Sequence, residues 1–363
     1  MPGTDGADRV GHGEGADAVG GGGGGMGSAH AGHDPAPAGE VSVGARSVPL
    51  GVLLDDCLRD VRGATTDSAD GEYVAARRAF MAAGPAALDR AADRRVRRTR
   101  WIQVGVTPAA DAEGRLYGRL ADSACELPAT GAATDFFHLH KPPGIRIGFA
   151  VHGNAATAER LRETVSERAD DWLREQVVRH REPGGYEPEA HLFGGEVSMR
   201  SVHRLFTADS PAWLRFLADD ARALPAWAYS LILLRDVLDG VGVRDWEDRD
   251  VWDRVRRGTG YGLPAEVPDA WRETAVRIRA HWRAIGALRD ALPEPLRAAA
   301  VRHRAEVAAE AERWTRGYFA TEEAEVGPRQ AIAYYTVFHW NRGRLALPTQ
   351  CLLADALAGR TRS

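Results

Sequence analysis

Three polar residues near the end of the chain have the types and spacing of an acid–base site. Tyr335, His339 and Arg342 stand at i, i+4 and i+7 in a helix that Pro328 begins, so their side chains share one stripe. A tyrosine can donate a proton, a histidine can accept one, and an arginine can polarise a carbonyl. The alternative interpretation is a packed histidine that bonds a backbone carbonyl. We expect Tyr335 and His339 to be the acid–base pair.

A second candidate base lies in the stretch 186–213, which glycines and prolines interrupt. Apolar residues recur at helical spacing over 199–206, which predicts a short amphipathic helix with His203 beside its apolar stripe. A new helix is predicted to begin at Ser210, the N-cap, because Pro211 follows at the first helical position. His203 is therefore a reserve base. The acids of this stretch are interpreted as loop and cap residues: Glu187, Glu189 and Asp209.

The stretch 138–151 is predicted to be a β-hairpin with a Pro-Pro-Gly turn. Alternating apolar residues over 145–151 leave Arg146 on the opposite face, free for a ligand or a carboxylate. His138 and His140 are two positions apart on a strand and share a face, so they could hold a metal ion, but no third ligand has a suitable spacing. The alternative is a pair of hydrogen-bonded histidines, and we predict no metal site.

Composition narrows the class of protein. The chain has 363 residues, of which 44% are hydrophobic and 27% charged, and its net charge of -4 argues against a nucleic-acid partner. Three separated cysteines argue against a disulfide framework or a zinc site. We find no apolar run long enough to span a bilayer and no signal-peptide pattern. We expect a cytoplasmic protein without a membrane partner.

The predicted fold class is α+β, with an antiparallel or mixed sheet whose core is a hairpin packed by long helices. Residues 1–46 are rich in glycine and histidine and are expected to be disordered, and 47–363 are expected to form a single domain. A strand is predicted at 101–106. The basic run 94–100 is either a solvated edge or a docking site for an acidic peptide. Helices are predicted over 48–92, 157–180, 212–224, 226–238, 271–316 and 328–345.

Several dispersed motifs resemble one known family. They are WIQV at 101–104, FFHLHKPPGIRIGF at 136–149, YEPEAHLFGGEVSMRSVHRLFTADS at 186–210 and FHWNRGRL at 338–345. These motifs are similar to those of the thiopeptide-type bacteriocin biosynthesis domain, and the resemblance covers roughly 49–359. Members of that family resemble the C-terminal glutamate-elimination domain of split lanthipeptide dehydratases and include the stand-alone pyridine synthases of thiopeptide maturation.

The resemblance implies two enzyme classes and leaves a third possibility. Elimination domains grip a glutamyl ester with arginines, typically in the first strand and before the Gly-Gly pair. This chain has His138 or His140 and Leu192 at those places, which favours a pyridine synthase. Such an enzyme joins two dehydroalanines of a modified precursor peptide and releases water and the leader peptide. The third possibility is a non-catalytic protein that binds the precursor peptide.

For a pyridine synthase, motif match and spacing together suggest roles for particular residues. Tyr335 and His339 would serve as the acid–base pair, Arg146 and Arg342 would polarise carbonyls, and His203 would act as a base for the dehydration step. We find no phosphate-binding loop or dinucleotide fingerprint, so no cofactor is predicted. Further substrate contacts are predicted for His138, His140, Lys141, Phe193, Ser198 and Asn341.

Overall fold

The computed structural model describes residues 39–64, 70–96, 99–142, 144–221, 224–259, 263 and 266–359, with the backbone alone over 85–96. Residue contacts divide the chain into two compact units, Met1–Leu88 and Asp89–Ser363. Most of the segment 1–46, for which disorder is predicted, lies outside the described residues, but its last residues form a strand. The predicted domain 47–363 spans part of the first unit and all of the second.

The first unit contains a two-stranded hairpin and two helices. β1 (Glu40–Val43) pairs antiparallel with β2 (Arg46–Pro49). α1 (Leu50–Val61) follows at once, and α2 (Gly71–Val96) begins in this unit. The helical pattern predicted over 48–92 is therefore confirmed, as two helices.

The second unit is built on a four-stranded antiparallel sheet with the strand order β4-β5-β3-β6. β4 and β5 form the predicted hairpin, which is confirmed, and the strand predicted at 101–106 is the middle of β3. The architecture is the predicted α+β class. The strands are β3 (Thr99–Pro108), β4 (Asp135–Lys141), β5 (Gly144–His152) and β6 (Val178–Gly184).

The long helix predicted over 157–180 is wrong at its C-terminal end, where the chain forms β6 instead. The helix α4 (Ala155–Arg174) ends at Arg174, and the chain turns at Gln176, whose φ of 55° is left-handed. Val177 and Val178 are buried as the chain enters the sheet. The apolar spacing assigned Val177 to the helix, whereas two adjacent β-branched residues favour a strand.

Ten helices of the described residues surround or extend from this sheet, and none of them has both the length and the apolar character needed to cross a membrane. A 3-10 helix (Ala190–Phe193) precedes α5, and a π-helical turn (Thr315–Phe319) follows α10. Of these helices, α3 was not predicted from the sequence. Besides α4, the helices are α3 (Glu113–Ala129), α5 (Glu196–Ala218), α6 (Ala226–Gly240), α7 (Trp246–Thr259), α8 (Asp269–Arg283), α9 (Ile285–Asp290), α10 (Glu294–Trp314), α11 (Pro328–Arg342) and α12 (Leu347–Leu357).

α5 is continuous, so the predicted helix start at Ser210 is wrong. Pro211 lies inside the helix, although it cannot donate a backbone hydrogen bond. Ser210 instead accepts a bond from the backbone N–H of His138, 3.4 Å away, and Thr207 accepts one from that of Phe136 at 3.1 Å. Two hydroxyl groups of α5 thus satisfy the outer edge of β4, where a further strand would otherwise pair.

The strand register divides the sheet into a buried face and a second face, which we call the open face. Residues paired across antiparallel strands share a face. On the buried face, α4 covers apolar residues such as Val104, Ile147 and Phe149. The open face carries Trp101, Gln103, Gly105, Phe137, Leu139, Lys141, Arg146, Gly148, Glu182 and Gly184.

A glycine at the end of α11 tests the packing of the helices. A Cβ atom at Gly343 would lie 2.4 Å from the ring of Trp213, which is fully buried. We expect Gly343→Ala to lower the free energy of unfolding by about 1–3 kcal/mol. The control is Gly118→Ala in α3, where a Cβ meets nothing within 4 Å and helix propensity adds up to about 1 kcal/mol. Urea unfolding followed by circular dichroism measures the unfolding free energy of both variants. A Gly343→Ala variant as stable as the native protein would contradict the close packing of Gly343 against Trp213.

Candidate functional site

A buried carboxylate, Asp209, joins two helices inside the second unit. It lies on α5 with no exposed surface. It accepts hydrogen bonds from Nε of Arg342 at 2.6 Å and from Nδ1 of His339 at 2.9 Å, both on α11. The hydroxyl of Ser230 lies 3.0 Å from Nε2 of His339 and donates to it. Asp209 therefore fixes the position of α11 against α5.

The same carboxylate is the first member of a longer chain of charged groups. His303 of α10 lies between two aspartates, with Nε2 at 3.4 Å from Asp209 and Nδ1 at 3.2 Å from Asp236 of α6. Asp236 also pairs with Arg289 of α9, and Arg304 lies 3.9 Å from it. Five helices therefore meet at one polar network, which Arg304 extends to the surface.

Mutual charge sets the protonation of this network. Burial alone would raise the pKa of Asp209, but the hydrogen bond that it accepts from His339 and the guanidinium charge of Arg342 hold that pKa well below its usual range. Burial alone would lower the pKa of His303, yet its two aspartate partners raise it to about 9. Burial lowers the pKa of His339 despite Asp209. At neutral pH, His303 is therefore a cation between two carboxylates, and His339 is neutral.

The prediction that Asp209 is a cap acid is wrong. Its position relative to Ser210 and Pro211 suggested a helix boundary, but the helix runs through it. The sequence did contain a signal, because 202, 206, 209 and 213 follow helical spacing and the other three are apolar and buried. A charged residue on an apolar stripe indicates a buried, paired carboxylate.

The predicted stripe of α11 exists, but it faces the interior. Tyr335 and His339 have no exposed surface, and 1% of Arg342 is exposed. The guanidinium carbon of Arg342 lies 4.3 Å from the ring centre of Phe206, and burial raises the pKa of Tyr335. The partly exposed face of α11 carries Tyr334, Val337, Phe338 and Asn341 instead.

His138 and His140 bind the C-terminal end of α11. Nε2 of His138 donates to the carbonyl of Arg342 at 3.2 Å, and Nδ1 of His140 donates to the carbonyl of Asn341 at 3.0 Å. The hydroxyl of Tyr117 lies 2.9 Å from the other nitrogen of His140 and donates to it. Burial lowers the pKa of both histidines, that of His140 to about 4, so both are neutral. They belong to the buried face and satisfy carbonyls that a helix end leaves free.

The cationic groups of the hairpin project from the open face. Arg146 pairs in register with Leu139 on β4 and Gly105 on β3, and Lys141 lies two positions beyond Leu139 on the same face. Both cations are exposed. Among the described residues, no carboxylate lies within ion-pair distance of Arg146. It is available to a ligand, as the alternation predicts.

An aromatic wall bounds one end of the open face. The ring centres of Phe137 and Tyr186 lie 5.1 Å from that of Trp101, and the ring centre of His203 lies 4.6 Å from it. Gly148 makes room for this wall, because a Cβ there would lie 2.3 Å from the ring of Phe137. Trp101 and Tyr186 remain partly exposed, so a ligand on the open face would contact them.

The wall contains a proton donor paired with a proton acceptor. The hydroxyl of Tyr186 lies 2.6 Å from Nε2 of His203. Burial lowers the pKa of His203 to about 4 and raises the pKa of Tyr186. The histidine is therefore neutral and the tyrosine protonated at pH 7, so the phenol donates to the imidazole. His203 was predicted from the sequence as a candidate base, whereas Tyr186 was not, because a loop brings the tyrosine to α5.

The remaining predicted substrate contacts are occupied within the protein. Phe193 is fully buried and packs against Tyr334 and Phe338. Ser198 is fully buried and accepts a hydrogen bond from Trp314. The structure gives no support for substrate contact by these two or by His138. Among the described residues, no group of three or more histidine, cysteine or acidic side chains is arranged to hold a metal ion.

Comparison with family models identifies most of the second unit. Residues 101–360 match the model described as lantibiotic biosynthesis dehydratase C-term. This match covers more than half of the chain and includes the sheet, the aromatic wall and the Asp209 network. No curated protein matches the chain.

Three solved structures are similar to 72% of this chain. The tRNA-dependent lantibiotic dehydratase MibB from Microbispora sp. 107891 has 15% identity and a TM-score of 0.52, with 27% of its own length covered. The pyridine synthase TbtD from thiomuracin biosynthesis has 14% identity, a TM-score of 0.48 and 99% coverage. TsrL has 17% identity, a TM-score of 0.42 and 95% coverage. The chain thus shares the fold of about a quarter of MibB.

The dependence of stability on pH tests the bridge that His303 forms. Its pKa rises from 6.5 to about 9 on folding, so its contribution is full below pH 6.5 and is lost as the pH rises through 9. We expect the native protein to lose up to about 3 kcal/mol of unfolding free energy over that range. His303→Gln should be less stable at pH 6.5 and should lack this loss, whereas His281→Gln on α8 should retain it. Urea titrations at pH 6.5 and pH 9 measure the unfolding free energy of each protein. If His303→Gln shows the same pH dependence of stability as the native protein, the bridge is contradicted.

Proposed function

The chain belongs to the lantibiotic biosynthesis dehydratase C-terminal family, and on that premise we propose that it is a pyridine synthase. Its substrate would be a ribosomally made precursor peptide that carries two dehydroalanines. One amide shifts to its imidic acid form, and the resulting azadiene undergoes a formal four-plus-two cycloaddition with the other alkene. Loss of water and of the leader peptide as an amide then gives the aromatic ring and closes the macrocycle.

The observation that carries this proposal is the neutral Tyr186–His203 pair beside an open, glycine-containing sheet face. Formation of the imidic acid adds a proton to the amide oxygen and removes one from the amide nitrogen. The phenol of Tyr186 can give its proton to the amide oxygen while Nε2 of His203 accepts the proton of the amide nitrogen in place of its bond to the phenol. The imidazolium then returns this proton to the phenolate, 2.6 Å away, so that both side chains end in their starting states. Trp101 and Phe137 limit the access of water to this pair.

Arg146 has the geometry to polarise a substrate carbonyl. It projects from the same face as the aromatic wall, two positions along β5 from Gly148. Lys141 adds a second cation on this face. Holding the two alkenes together would contribute about 7 to 11 kcal/mol of the barrier reduction through proximity. Arg146 and the proton-transfer pair would orient the amide that becomes the azadiene.

Tyr335, His339 and Arg342 have a positioning role in this proposal. Proton transfer requires contact between the donor and the substrate, and neither Tyr335 nor His339 has any exposed surface. His339 and Arg342 bond Asp209 and so hold α11 where Phe338 lies against Phe206, with ring centres 5.5 Å apart. Tyr335 stacks on Phe206, with ring centres 5.8 Å apart. The packing of Phe206 against Phe137 then extends to the aromatic wall.

Glutamate elimination is the second candidate function. Elimination would need cations that grip a glutamate. The family resemblance places such cations in the first strand and at a position before the Gly-Gly pair, which is Leu192 in this chain. His138 and His140 face the opposite side of the sheet, where they bond α11. Leu192 is apolar and cannot bind a carboxylate as an arginine would. These residues favour cycloaddition over elimination.

Mass spectrometry of a synthetic precursor distinguishes the candidates. The native protein is expected to convert a leader-bearing peptide with two dehydroalanines into a product that lacks the leader and one water. A glutamylated precursor that loses glutamate would identify an elimination enzyme, and binding of the precursor without any change of mass would identify a binding protein. Tyr186→Phe and His203→Ala should lower kcat by about 10²–10⁴-fold with little change in peptide affinity. His281→Ala is the control, and full activity in both site variants would contradict their role.

A further inference from the structure

A positively charged groove lies between α5 and α10, and the proposed reaction gives it no role. We call it the arginine groove. It has a volume of about 460 Å³. Arg200 and Arg204 of α5 form one side, and Arg313 and the exposed Gly317 form the other. The groove is separate from the open face, because none of its lining residues belongs to the sheet.

Positive charge exceeds negative charge in the arginine groove. Glu310 forms its acidic part, with 4% of its side chain exposed, and Arg313 holds it at 2.6 Å. Arg204 lies 4.0 Å from the same carboxylate. Among the described residues, no carboxylate lies within ion-pair distance of Arg200. Three guanidinium groups therefore face one carboxylate, which leaves positive charge for an anionic ligand.

The groove has open space and an apolar contact beside its arginines. The π-helical turn that follows α10 interrupts the regular helix at its edge, a feature that often marks functional sites. A Cβ at Gly317 would meet nothing within 4 Å, so space is open there. Trp314 is fixed by its bond to Ser198 at 2.9 Å. Val197, which is 45% exposed, supplies an apolar contact beside the arginines.

The groove lies beside the proposed reaction site. On a helix with about 100° per residue, the side chains of Arg200 and Arg204 project about 60–100° away from that of His203, within one turn. Tyr318, which lines the groove, packs against Gly194, where an added Cβ would lie 1.8 Å from the phenol oxygen. Gly194 follows the loop that carries Tyr186. The arginines that α5 contributes to the groove thus lie within one helical turn of His203, which belongs to the aromatic wall.

We propose that the arginine groove binds an acidic stretch of the precursor peptide, outside the residues that react. The identity of the peptide rests on the proposed function, whereas the acidic character rests on the charge of the groove. The surplus of guanidinium groups selects carboxylates, and Val197 selects an apolar neighbour in the same segment. RNA is the less suitable anion, because nucleic-acid binding normally needs a clear excess of Lys and Arg and the whole chain carries a net charge of -4. Most side chains of the basic run 94–100 lie outside the part of the chain that the structure describes.

Fluorescence anisotropy tests the groove with a labelled ten-residue peptide that contains four glutamates and two leucines. The native protein should bind it, with an affinity that falls as salt is added. Arg200→Glu combined with Arg204→Gln should weaken binding by on the order of tenfold, and should raise KM for the full precursor without lowering kcat. The control combines Arg277→Glu with Arg302→Gln on exposed positions of α8 and α10, outside the groove. Thermal unfolding confirms that each variant folds.

The possible outcomes separate this proposal from the proposed function. Equal binding by the native protein and the groove variant would overturn the groove whatever reaction occurs. Loss of binding in the control variant as well would indicate general electrostatic attraction and would also overturn it. Preferential binding of a single-stranded RNA oligomer at the same arginines would replace the peptide by a nucleic acid. Selective peptide binding without any pyridine product would retain the groove and reject the reaction.

Discussion

The structure of the second unit depends on a carboxylate that has no access to water. Asp209 holds three partners from two helices, Arg342, His339 and His303. A buried charge is tolerated when hydrogen bonds and opposite charges surround it, and removal of one partner typically costs about 3–5 kcal/mol. This requirement fixes the rotation of α11 and places its polar stripe inside the protein. The partly exposed side of α11 is therefore aromatic, and it supports the wall where we place the chemistry.

Successive side chains of a strand point to opposite faces of the sheet, so neighbouring residues of β4 have different roles. His138 and His140 face inward and bind the last carbonyls of α11. Leu139 and Lys141, which alternate with them, face outward beside Arg146. One hairpin therefore anchors the supporting helix and presents cations to a ligand. Substitution of the histidines would disturb the open face indirectly, through α11.

Local patterns predicted the elements better than their orientation. Alternation identified the hairpin and the outward direction of Arg146, and Pro328 marked the start of α11. The sequence could not predict which face of α11 is buried, because apolar residues occur all around that helix. The residue that determines this orientation, Asp209, is 130 positions away from His339. Likewise, the bond between Tyr186 and His203 depends on the path of a loop. The Ser-Pro pair misled the interpretation of α5, since tertiary packing there outweighs the missing N–H of Pro211.

The central claim is that the reacting alkenes lie on the open face of the sheet, and covalent capture tests it most directly. A thiol introduced by Gln103→Cys would stand on this face beside Trp101 and Arg146, and its thiolate can add to the alkene of a bound dehydroalanine. Glu163→Cys on α4 provides an exposed thiol away from that face. Peptide mapping by mass spectrometry should find the thioether at position 103 and far less at position 163. Equal labelling at both positions, or none at 103 while the peptide is bound, would contradict the account.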